Sequence, residues 1–525
     1  MITVSRITIH CLLLTSIGLL LCACATSFPS QKATDFTFTE ATIDDIHAAI
    51  KNQTIDCEAI TNGFLDRIKK YDEISNLNSI IYINPGAIKK AKALDKKYQT
   101  TKKMQSLHCV PVILKDNFDT ADMPTEAGSV ALSGSIPPDD AYMVKKLRQA
   151  DAIIIAKSNM GEWAFSPYNT ISSTHGETRN AYDLSRVPAG SSGGTASAIA
   201  ANFAVIGMGS DTGNSIRGPA SHLALVGIRS TIGVTSRDGI VPLLLNRDIG
   251  GPLMRTVRDT AKVFNVIAGF DPADPTTKIY EDHKVDDYTT LLTRDGLSSA
   301  RLGVLRQIYD SKTIDKQILA VFTQALRDLE SSGAIIVDPV TIPNFEELVK
   351  ATGFCGRFRY DINNYLKTLG SNTNIKALKD VVEQKKFRPE NNGAMKWAMS
   401  IDANVKPADQ NPPCIDVDGD PRRKSLLTAV LSTMDNLKLD ALIYPTWSNP
   451  PRKIGDLESP DGNNSPVIAP HSGQPAITVP MGYVGNNLPV GLQILGRPFS
   501  ENQLFQYAYA YEQATQHRKP PSLFP

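Results

Sequence analysis

Residues 209–218 read Gly-Ser-Asp-Thr-Gly-Asn-Ser-Ile-Arg-Gly, a short polar segment punctuated by glycines. Ser215 follows the turn at residues 211–214, so its hydroxyl can face a cleft. The successive backbone N–H groups of residues 212–215 can converge on one point, which is the arrangement of an oxyanion hole. The alternative is that Ser215 caps the helix that follows. No Gly-x-Ser-x-Gly elbow surrounds Ser215, so the segment does not indicate an α/β-hydrolase.

A glycine- and serine-rich loop lies upstream of this segment. Residues 190–194 read Gly-Ser-Ser-Gly-Gly, and a helical pattern follows at residues 195–201. Glycines allow a positive φ and a close approach of the backbone to other groups. The position of the loop between regular elements argues against a flexible linker, and a tight turn or an anion-binding nest remains the alternative. It is not a P-loop, because no Gly-Lys-Ser/Thr follows.

Lys115 ends a short apolar run, Val110–Leu114, that has the composition of a buried strand. Burial disfavours the charged form of a lysine and lowers its pKa, and a lysine that is neutral near pH 7 can act as a base. The alternative is a lysine at a strand end whose stem lies along apolar surface while its ammonium reaches water.

The order and spacing of Lys115, Ser191 and Ser215 resemble those of the amidase signature family, whose serine hydrolases use a Ser-Ser-Lys triad. Further blocks are similar to that family: residues 107–111, 156–162, 445–446, 473–480 and 488–493. Two positions depart from its pattern, because Cys109 and Asn214 stand where glycine is usual. The similarity covers roughly residues 40–520.

This resemblance implies an α/β fold in a single large domain, with a mixed, twisted central sheet covered by helices. It implies that Ser215 is the nucleophile, that Ser191 is the bridging serine on a cis peptide bond, and that Lys115 is the base. Asp211 and Arg217 would brace the oxyanion loop. The implied substrate-binding residues are Ala164, Ser191, Thr212, Gly213, Asn214 and Ser215, with Phe165 also lining the acyl pocket. No metal and no organic cofactor are implied.

Hydrophobic periodicity supports an α/β fold independently. Residues 42–103 are mostly helical in pattern. Apolar β-branched runs then alternate with helical patterns, which favours a sheet covered on both faces. The predicted strands are 110–114, 152–156, 203–206, 334–337, 441–444 and 476–479, and the predicted helices are 142–149, 195–201, 257–268, 314–329 and 501–517. Residues 271–300 and 370–425 give no clear pattern.

The N-terminus predicts export. Arg6 precedes an apolar run at residues 11–21 that ends at small residues, which is the form of a secretory signal. Residues 21–24 also resemble a bacterial lipobox, which would make Cys24 the lipidated first residue, although ordinary cleavage near Ala25 is the alternative. We therefore expect a lipoprotein-type signal peptide at 1–24, a tether at 25–38 and an amidase domain at 39–525. The mature protein would lie in the cell envelope or periplasm.

Composition and cysteine content exclude several classes of partner. The formal net charge is +1 and no basic run is present, so no nucleic-acid partner is expected. Membrane attachment is expected only through a lipid at Cys24. The cysteines outside the leader show no metal-binding spacing; isolated buried thiols are predicted, with one long-range disulfide as the alternative. Residues 416–420 are predicted to be a solvated loop rather than a calcium site.

The sequence as a whole predicts an exported amidase that cleaves small carboxamides, and also esters, through an acyl-enzyme. Trp163 and Phe165 indicate an apolar or aromatic-tolerant pocket, although a role in the core is equally compatible with them. Two alternatives are an amidotransferase-type subunit that feeds ammonia to misacylated tRNA, and a non-catalytic envelope binding protein on an amidase fold. The leader argues against the first alternative, and the intact triad argues against the second.

Overall fold

The computed structural model describes residues 36–485 and 487–525. The predicted signal peptide, Cys24 and most of the predicted tether lie outside these residues. At the end of that tether, Phe36 and Phe38 are in edge-to-face contact, and Phe38 packs in the same way on Phe64 of the domain. Within the described residues, no helix combines the length and apolar character that a bilayer crossing requires.

A mixed eleven-stranded sheet forms the centre of the described chain. Its order is β1-β3-β2-β6-β8-β7-β12-β13-β11-β9-β10, and a separate two-stranded ribbon is formed by β4 and β5. The strands are β1 (Ile80–Ile83), β2 (Pro111–Lys115), β3 (Ile153–Ser158), β4 (Ile171–Ser172), β5 (Gly176–Glu177), β6 (Ile206–Asp211), β7 (Val226–Arg229), β8 (Ile249–Met254), β9 (Arg301–Val304), β10 (Ile335–Val337), β11 (Ala441–Pro445), β12 (Ala476–Val484) and β13 (Leu488–Leu495).

Helices pack against this sheet and complete the predicted α/β architecture. They are α1 (Ile43–Lys51), α2 (Cys57–Ser75), α3 (Ala87–Thr101), α4 (Tyr142–Gln149), α5 (Gly193–Ala200), α6 (Arg217–His222), α7 (Val257–Ile267), α8 (Lys316–Ser331), α9 (Phe345–Ala351), α10 (Phe358–Thr368), α11 (Leu378–Glu383), α12 (Asn392–Ser400), α13 (Pro421–Asn436), α14 (Ala469–Ser472) and α15 (Glu501–Thr515). Every residue of β2, β3 and β6 is buried, as expected for strands covered on both faces.

Capping side chains fix the starts of several helices. Thr42 and Asp45 form a capping box at the start of α1. Asp315 caps α8, so this helix begins two residues after the predicted start. Asp420 is buried and caps α13, so the predicted solvated loop at 416–420 ends in a capping residue.

Two predictions about local structure were wrong in detail. The strand predicted at 203–206 begins only at Ile206, because the N–H of Phe203 still bonds the carbonyl of Ala198 and closes the end of α5. Ladder hydrogen bonds become available from Ile206, which pairs with Val112. The helical pattern of residues 42–103 also contains the edge strand β1, which pairs antiparallel with β3.

The prediction of isolated thiols was also wrong, because the structure has two disulfides. Cys57, the first residue of α2, is joined to Cys109, with their Cα atoms 5.2 Å apart. Cys355 is joined to Cys414, with their Cα atoms 5.7 Å apart. Both pairs are distant in sequence and are brought together only by the tertiary fold, so spacing along the chain does not reveal them.

Two hydrophobic clusters organise the interior. The larger one surrounds the central sheet. The smaller one joins residues near 127–164 and 241–244 to helices α10, α11 and α12. These three helices lie between Cys355 and Cys414, and we call residues 355–414 the disulfide loop. The smaller cluster therefore packs the disulfide loop beside the segment that carries Ala164.

Candidate active site

Lys115 lies at the end of β2, where its side chain is completely buried. Its Nζ is 2.7 Å from the Ser191 Oγ and 2.8 Å from the Ser210 Oγ. Burial lowers the pKa of Lys115 to about 7, against the opposing effect of the Asp211 and Asp248 carboxylates. A lysine whose stem lies on the surface and whose ammonium reaches water is excluded, because none of the side chain is exposed. Lys115 therefore has the surroundings of a lysine base.

Ser191 lies in a loop whose glycines are required by packing. The Gly190–Ser191 peptide bond is cis, as the family resemblance implied. A Cβ at Gly190 would collide with the carbonyl oxygen of Asn169, so only glycine fits there. The carbonyl of Ser191 accepts a hydrogen bond of 3.0 Å from the N–H of Gly161. The loop is thus fixed on both sides of Ser191 and is not a linker.

The segment between β6 and α6 presents free backbone donors. Among the described residues, the N–H groups of residues 212–215 have no hydrogen-bond acceptor. The next N–H, that of Ile216, donates to the Asp211 carboxylate. Ile216 is the N-cap of α6 and makes no side-chain cap, so the alternative role of Ser215 as a helix cap is not realised. Four successive free donors beside Ser215 can serve as an oxyanion hole.

Asp211 and Arg217 brace this segment as expected. Arg217 Nε is 3.0 Å from an Asp211 carboxylate oxygen, and Arg229 Nη1 is 3.2 Å from the other. All three side chains are buried. Burial alone would raise the pKa of Asp211, but the two guanidinium groups hold it below its ordinary value. Asp211 therefore carries a fixed negative charge that anchors the start of the turn.

Asn214 joins the two serine-bearing loops. Its Nδ2 donates to the carbonyl oxygens of Pro167 and Gly190, each at 3.2 Å. The Gly190 carbonyl belongs to the peptide bond that carries Ser191. In this resting arrangement the Ser191 hydroxyl bonds Lys115, and no hydrogen bond among the described residues links it to Ser215. The Asn214 side chain is what ties the Ser215 segment to the Ser191 loop.

A cavity of about 460 Å³ opens beside Ser215. Of the predicted substrate-binding residues, it is lined by Ala164, Thr212, Gly213, Asn214 and Ser215, and Phe165 joins them. Ser191, also predicted to bind substrate, is not among the described residues that line it. The Ser191 side chain is buried and contacts Lys115.

Several lining residues were missed by the sequence analysis. The disulfide loop contributes Phe358, Ala394, Trp397 and Ala398, and Phe354 precedes it directly. Tyr168 and Asp461 complete another part of the wall. Trp163 does not line the cavity; it is buried in the smaller hydrophobic cluster and contacts the Phe358 ring edge-to-face. A pairing of Cys355 with Cys414 is the signal that could have drawn attention to this segment.

Known proteins share both the sequence pattern and the fold. The Amidase family pattern matches residues 59–505. A protein of Arabidopsis thaliana named probable amidase is 32% identical over 500 residues, covering 93% of this chain and 92% of that protein. A glutamyl-tRNA(Gln) amidotransferase subunit of Microcystis aeruginosa is 31% identical over 503 residues, covering 91% of this chain and 99% of that protein.

A solved structure agrees with these relatives. The native peptide amidase of Stenotrophomonas maltophilia superposes with a TM-score of 0.81 at 33% identity, covering 93% of this chain and 99% of that chain. The family match at residues 59–505 includes the segments that carry Lys115, Ser191 and Ser215. This chain belongs to the amidase signature family and is an amidase.

Proposed function

We propose that this chain is an exported hydrolase of carboxamides whose acyl portion carries an apolar side group, and that it acts through Lys115, Ser191 and Ser215. The observation that carries the proposal is the 2.7 Å contact between Lys115 Nζ and Ser191 Oγ in a fully buried site beside the Ser215 segment. A buried lysine in contact with a serine hydroxyl is suited to accept its proton.

The first half-reaction forms an acyl-enzyme. Neutral Lys115 accepts the proton of Ser191, which accepts the proton of Ser215 as the Ser215 Oγ bonds the amide carbonyl carbon. The carbonyl oxygen becomes an oxyanion and is held by the N–H groups of residues 212–215. The proton then passes back through Ser191 to the nitrogen of the amide, the C–N bond breaks, and ammonia or an amine leaves.

The second half-reaction regenerates the enzyme. Water attacks the carbonyl carbon of the Ser215 ester and gives up a proton through Ser191 to Lys115. The bond from the carbonyl carbon to the Ser215 Oγ then breaks, the Oγ takes that proton back through Ser191, and the carboxylic acid leaves. An ester substrate follows the same path with an alcohol as leaving group. Apart from the substrate and water, each step is assigned to side chains and backbone groups of this chain.

The cavity supports an apolar acyl group. Its lining is dominated by apolar and aromatic side chains, including Phe165, Phe358 and Trp397. Such a surface favours burial of aromatic or branched aliphatic groups. The similarity to a peptide amidase supports the amide of an amino acid or short peptide as the substrate class.

The leader and the disulfides support export. Residues 1–24 have the pattern of a lipoprotein-type signal peptide, and Cys24 is the proposed lipidation site. Disulfides such as Cys57–Cys109 and Cys355–Cys414 persist in oxidising compartments and are rare in the cytosol. We therefore propose that the mature enzyme lies in the cell envelope. A lipid at Cys24 would anchor it, and residues 25–38 would form the tether between Cys24 and the amidase domain. Mass spectrometry of envelope fractions tests this: a lipid-modified Cys24 is expected, and an intact Met1 in the cytosolic fraction would contradict it.

Ammonia release from a panel of amides tests the catalytic proposal. The panel contains 3-phenylpropanamide, acetamide and L-glutamine. We expect turnover of 3-phenylpropanamide, and a loss on the order of 10²-fold for Ser191→Ala, the usual scale for positioned proton transfer. Ser192→Ala removes the neighbouring hydroxyl and should keep most of the rate. Turnover of L-glutamine alone would instead favour the amidotransferase-type function of the relative from Microcystis aeruginosa.

A further inference from the structure

The wall of the active-site cavity contains the carboxylate of Asp461. Asp461 is the one charged side chain among the described residues that line it. The rest of the lining includes the aromatic rings of Phe165, Tyr168, Phe354, Phe358 and Trp397. A purely apolar acyl group would gain nothing from a carboxylate at this place, and an anionic one would be repelled by it.

The contacts of Asp461 leave its charge uncompensated. Its Oδ2 accepts a hydrogen bond of 3.0 Å from the Tyr168 hydroxyl, and its Oδ1 accepts one of 3.3 Å from the N–H of Asn463. Burial and the neighbouring Asp461 raise the pKa of Tyr168 to about 12, so the phenol remains a neutral donor. Among the described residues, Asp461 forms no ion pair. Two of its roughly four acceptor positions are therefore open.

The loop that carries Asp461 is fixed in place. The Trp447 indole N–H donates to the Asp461 carbonyl oxygen. Gly462 follows with φ at +65°, and a Cβ there would collide with the Asn449 side chain. Arg452 lies over the Tyr168 ring, 5.4 Å from its centre, and not on the carboxylate. The carboxylate is thus held at the cavity wall by neutral groups.

A carboxylate among aromatic rings is a site for an organic cation. An ammonium group gains a charge-assisted hydrogen bond from the carboxylate and an attraction to the ring faces. The same cavity contains Ser215, so a molecule bound at Asp461 shares the space in which an acyl group must lie. One substrate can therefore contact the Asp461 carboxylate and present its amide to Ser215 if its acyl portion bears an ammonium group.

We propose that Asp461 binds an ammonium group on the acyl portion of the substrate, as in an amino-acid amide or a short peptide amide with a free amino terminus. This assignment rests on the proposed amide hydrolysis and narrows its substrate class. The cavity supplies aromatic surface for the apolar side chain of such a substrate, the oxyanion segment receives its amide carbonyl, and Asp461 supplies the ionic contact.

Three amides that share a phenyl group provide the first test. L-phenylalaninamide has an ammonium, N-acetyl-L-phenylalaninamide has that nitrogen acylated, and 3-phenylpropanamide lacks it. We expect kcat/KM for L-phenylalaninamide to exceed that for either neutral amide by roughly ten-fold or more, which is the scale of a hydrogen bond to a charged group. Asp461→Asn keeps the shape and should abolish this preference. Glu458→Gln, an exposed carboxylate on the same loop, should leave the preference intact.

Binding without turnover provides the second test. In the Ser215→Ala protein, 2-phenylethylammonium should bind roughly ten-fold more tightly than 2-phenylethanol, and Asp461→Asn should remove the difference. Calorimetric titration measures both. Equal affinities, or a preference that survives Asp461→Asn, would overturn the assignment. Failure of wild-type protein to hydrolyse any of the three amides would contradict the proposed function instead, so the two failures are distinct.

Discussion

The complete burial of Lys115 is what suits this residue to act as a base. The strand that carries it is buried throughout, so its ammonium has no access to water. Its Nζ contacts the hydroxyl groups of Ser191 and Ser210 at hydrogen-bond distance, and Asn117 donates to the Ser210 hydroxyl at 2.9 Å. The Ser210 hydroxyl oxygen can accept an N–H from neutral Lys115. The lone pair of the Lys115 nitrogen can then face the Ser191 hydroxyl.

The pH dependence of the rate tests this state of Lys115. Burial lowers its pKa to about 7, so the neutral base predominates above that pH and is lost below it. We expect kcat/KM to fall by about ten-fold per pH unit below this value. Lys115→Ala should reduce the rate on the order of 10²-fold and flatten the acid limb. Lys115→Arg should not restore activity, because a guanidinium stays protonated. A near-normal rate with an unchanged acid limb in Lys115→Ala would refute the role.

Asn214 is predicted to position Ser191. Its amide donates to the carbonyl of Gly190 and to that of Pro167. Asn214→Gly restores the residue usual in the family but removes both hydrogen bonds, which are worth about 1 kcal/mol each. We expect kcat to fall about ten-fold, with KM and the acid limb little changed. Asn214→Asp keeps the shape but places a carboxylate against the two carbonyl oxygens, so it should lower kcat at least as much. A change confined to thermal stability would assign Asn214 a structural role only.

At the scale of elements, the disulfide loop contributes much of the cavity wall. Helices α10 and α12 present Phe358 and Trp397 to the cavity, and the smaller hydrophobic cluster holds these helices against residues near 127–164. The Cys355–Cys414 disulfide closes the loop at its base. Asn246 Nδ2 lies 3.5 Å from the Cys355 sulfur and donates to the carbonyl of Ile415 at 3.2 Å, so the base is joined to the core.

The two disulfides should differ in their effect on specificity. They span 52 and 59 residues, so chain entropy predicts similar stabilisation of about 4 kcal/mol for each. Replacing Cys355 and Cys414 by Ser should lower Tm and also raise KM for 3-phenylpropanamide relative to acetamide. Replacing Cys57 and Cys109 by Ser should lower Tm without changing that ratio, because the segments that this disulfide joins contribute no residue to the cavity lining. An equal change in the ratio for both double variants would contradict this prediction.

The catalytic residues can be predicted from the sequence, but much of the cavity wall cannot. Short segments carry Lys115, Ser191 and Ser215, and their local turns and burial follow from residue type. The aromatic wall from the disulfide loop could not be predicted, because its helices gain their burial from tertiary contacts and show no clear pattern. The edge strand β1 was hidden for a similar reason: residues 82 and 83 are exposed, and the strand depends on pairing with β3.

At the scale of the whole molecule, the fold buries groups whose protonation opposes folding. The His222 imidazole is buried against the Trp447 ring, with their centres 4.5 Å apart. Neither ring nitrogen has a hydrogen-bond partner among the described residues. Burial, with a smaller contribution from Arg186, lowers the pKa of His222 from 6.5 to about 3. The unfolded chain therefore binds a proton at this residue at a higher pH than the folded chain does.

The sign of the pH effect on stability follows from this shift. His222 in its neutral form contributes stability above pH 6.5, and this contribution is lost progressively as the pH falls from 6.5 towards about 3. His222→Phe keeps the ring packing and removes the titration, so the decrease in Tm between pH 7 and pH 5 should be smaller than in the wild type. The exposed His175→Gln is the matched control and should behave as wild type. An identical decrease in Tm for His222→Phe and wild type would contradict the assignment.

The account depends on Ser215 as the residue that receives the acyl group, and labelling with a fluorophosphonate measures this most directly. Peptide mass spectrometry of the labelled wild-type protein should place a single adduct on Ser215, appearing in step with the loss of amide hydrolysis. The Ser215→Ala protein, with the circular dichroism spectrum of the wild type, should show neither labelling nor turnover. Ser215 is the one serine among the described residues that line the cavity, and the Thr212 hydroxyl is engaged with the Asp248 carboxylate. Labelling at another residue, or undiminished ammonia release by Ser215→Ala, would contradict the mechanism proposed for this amidase.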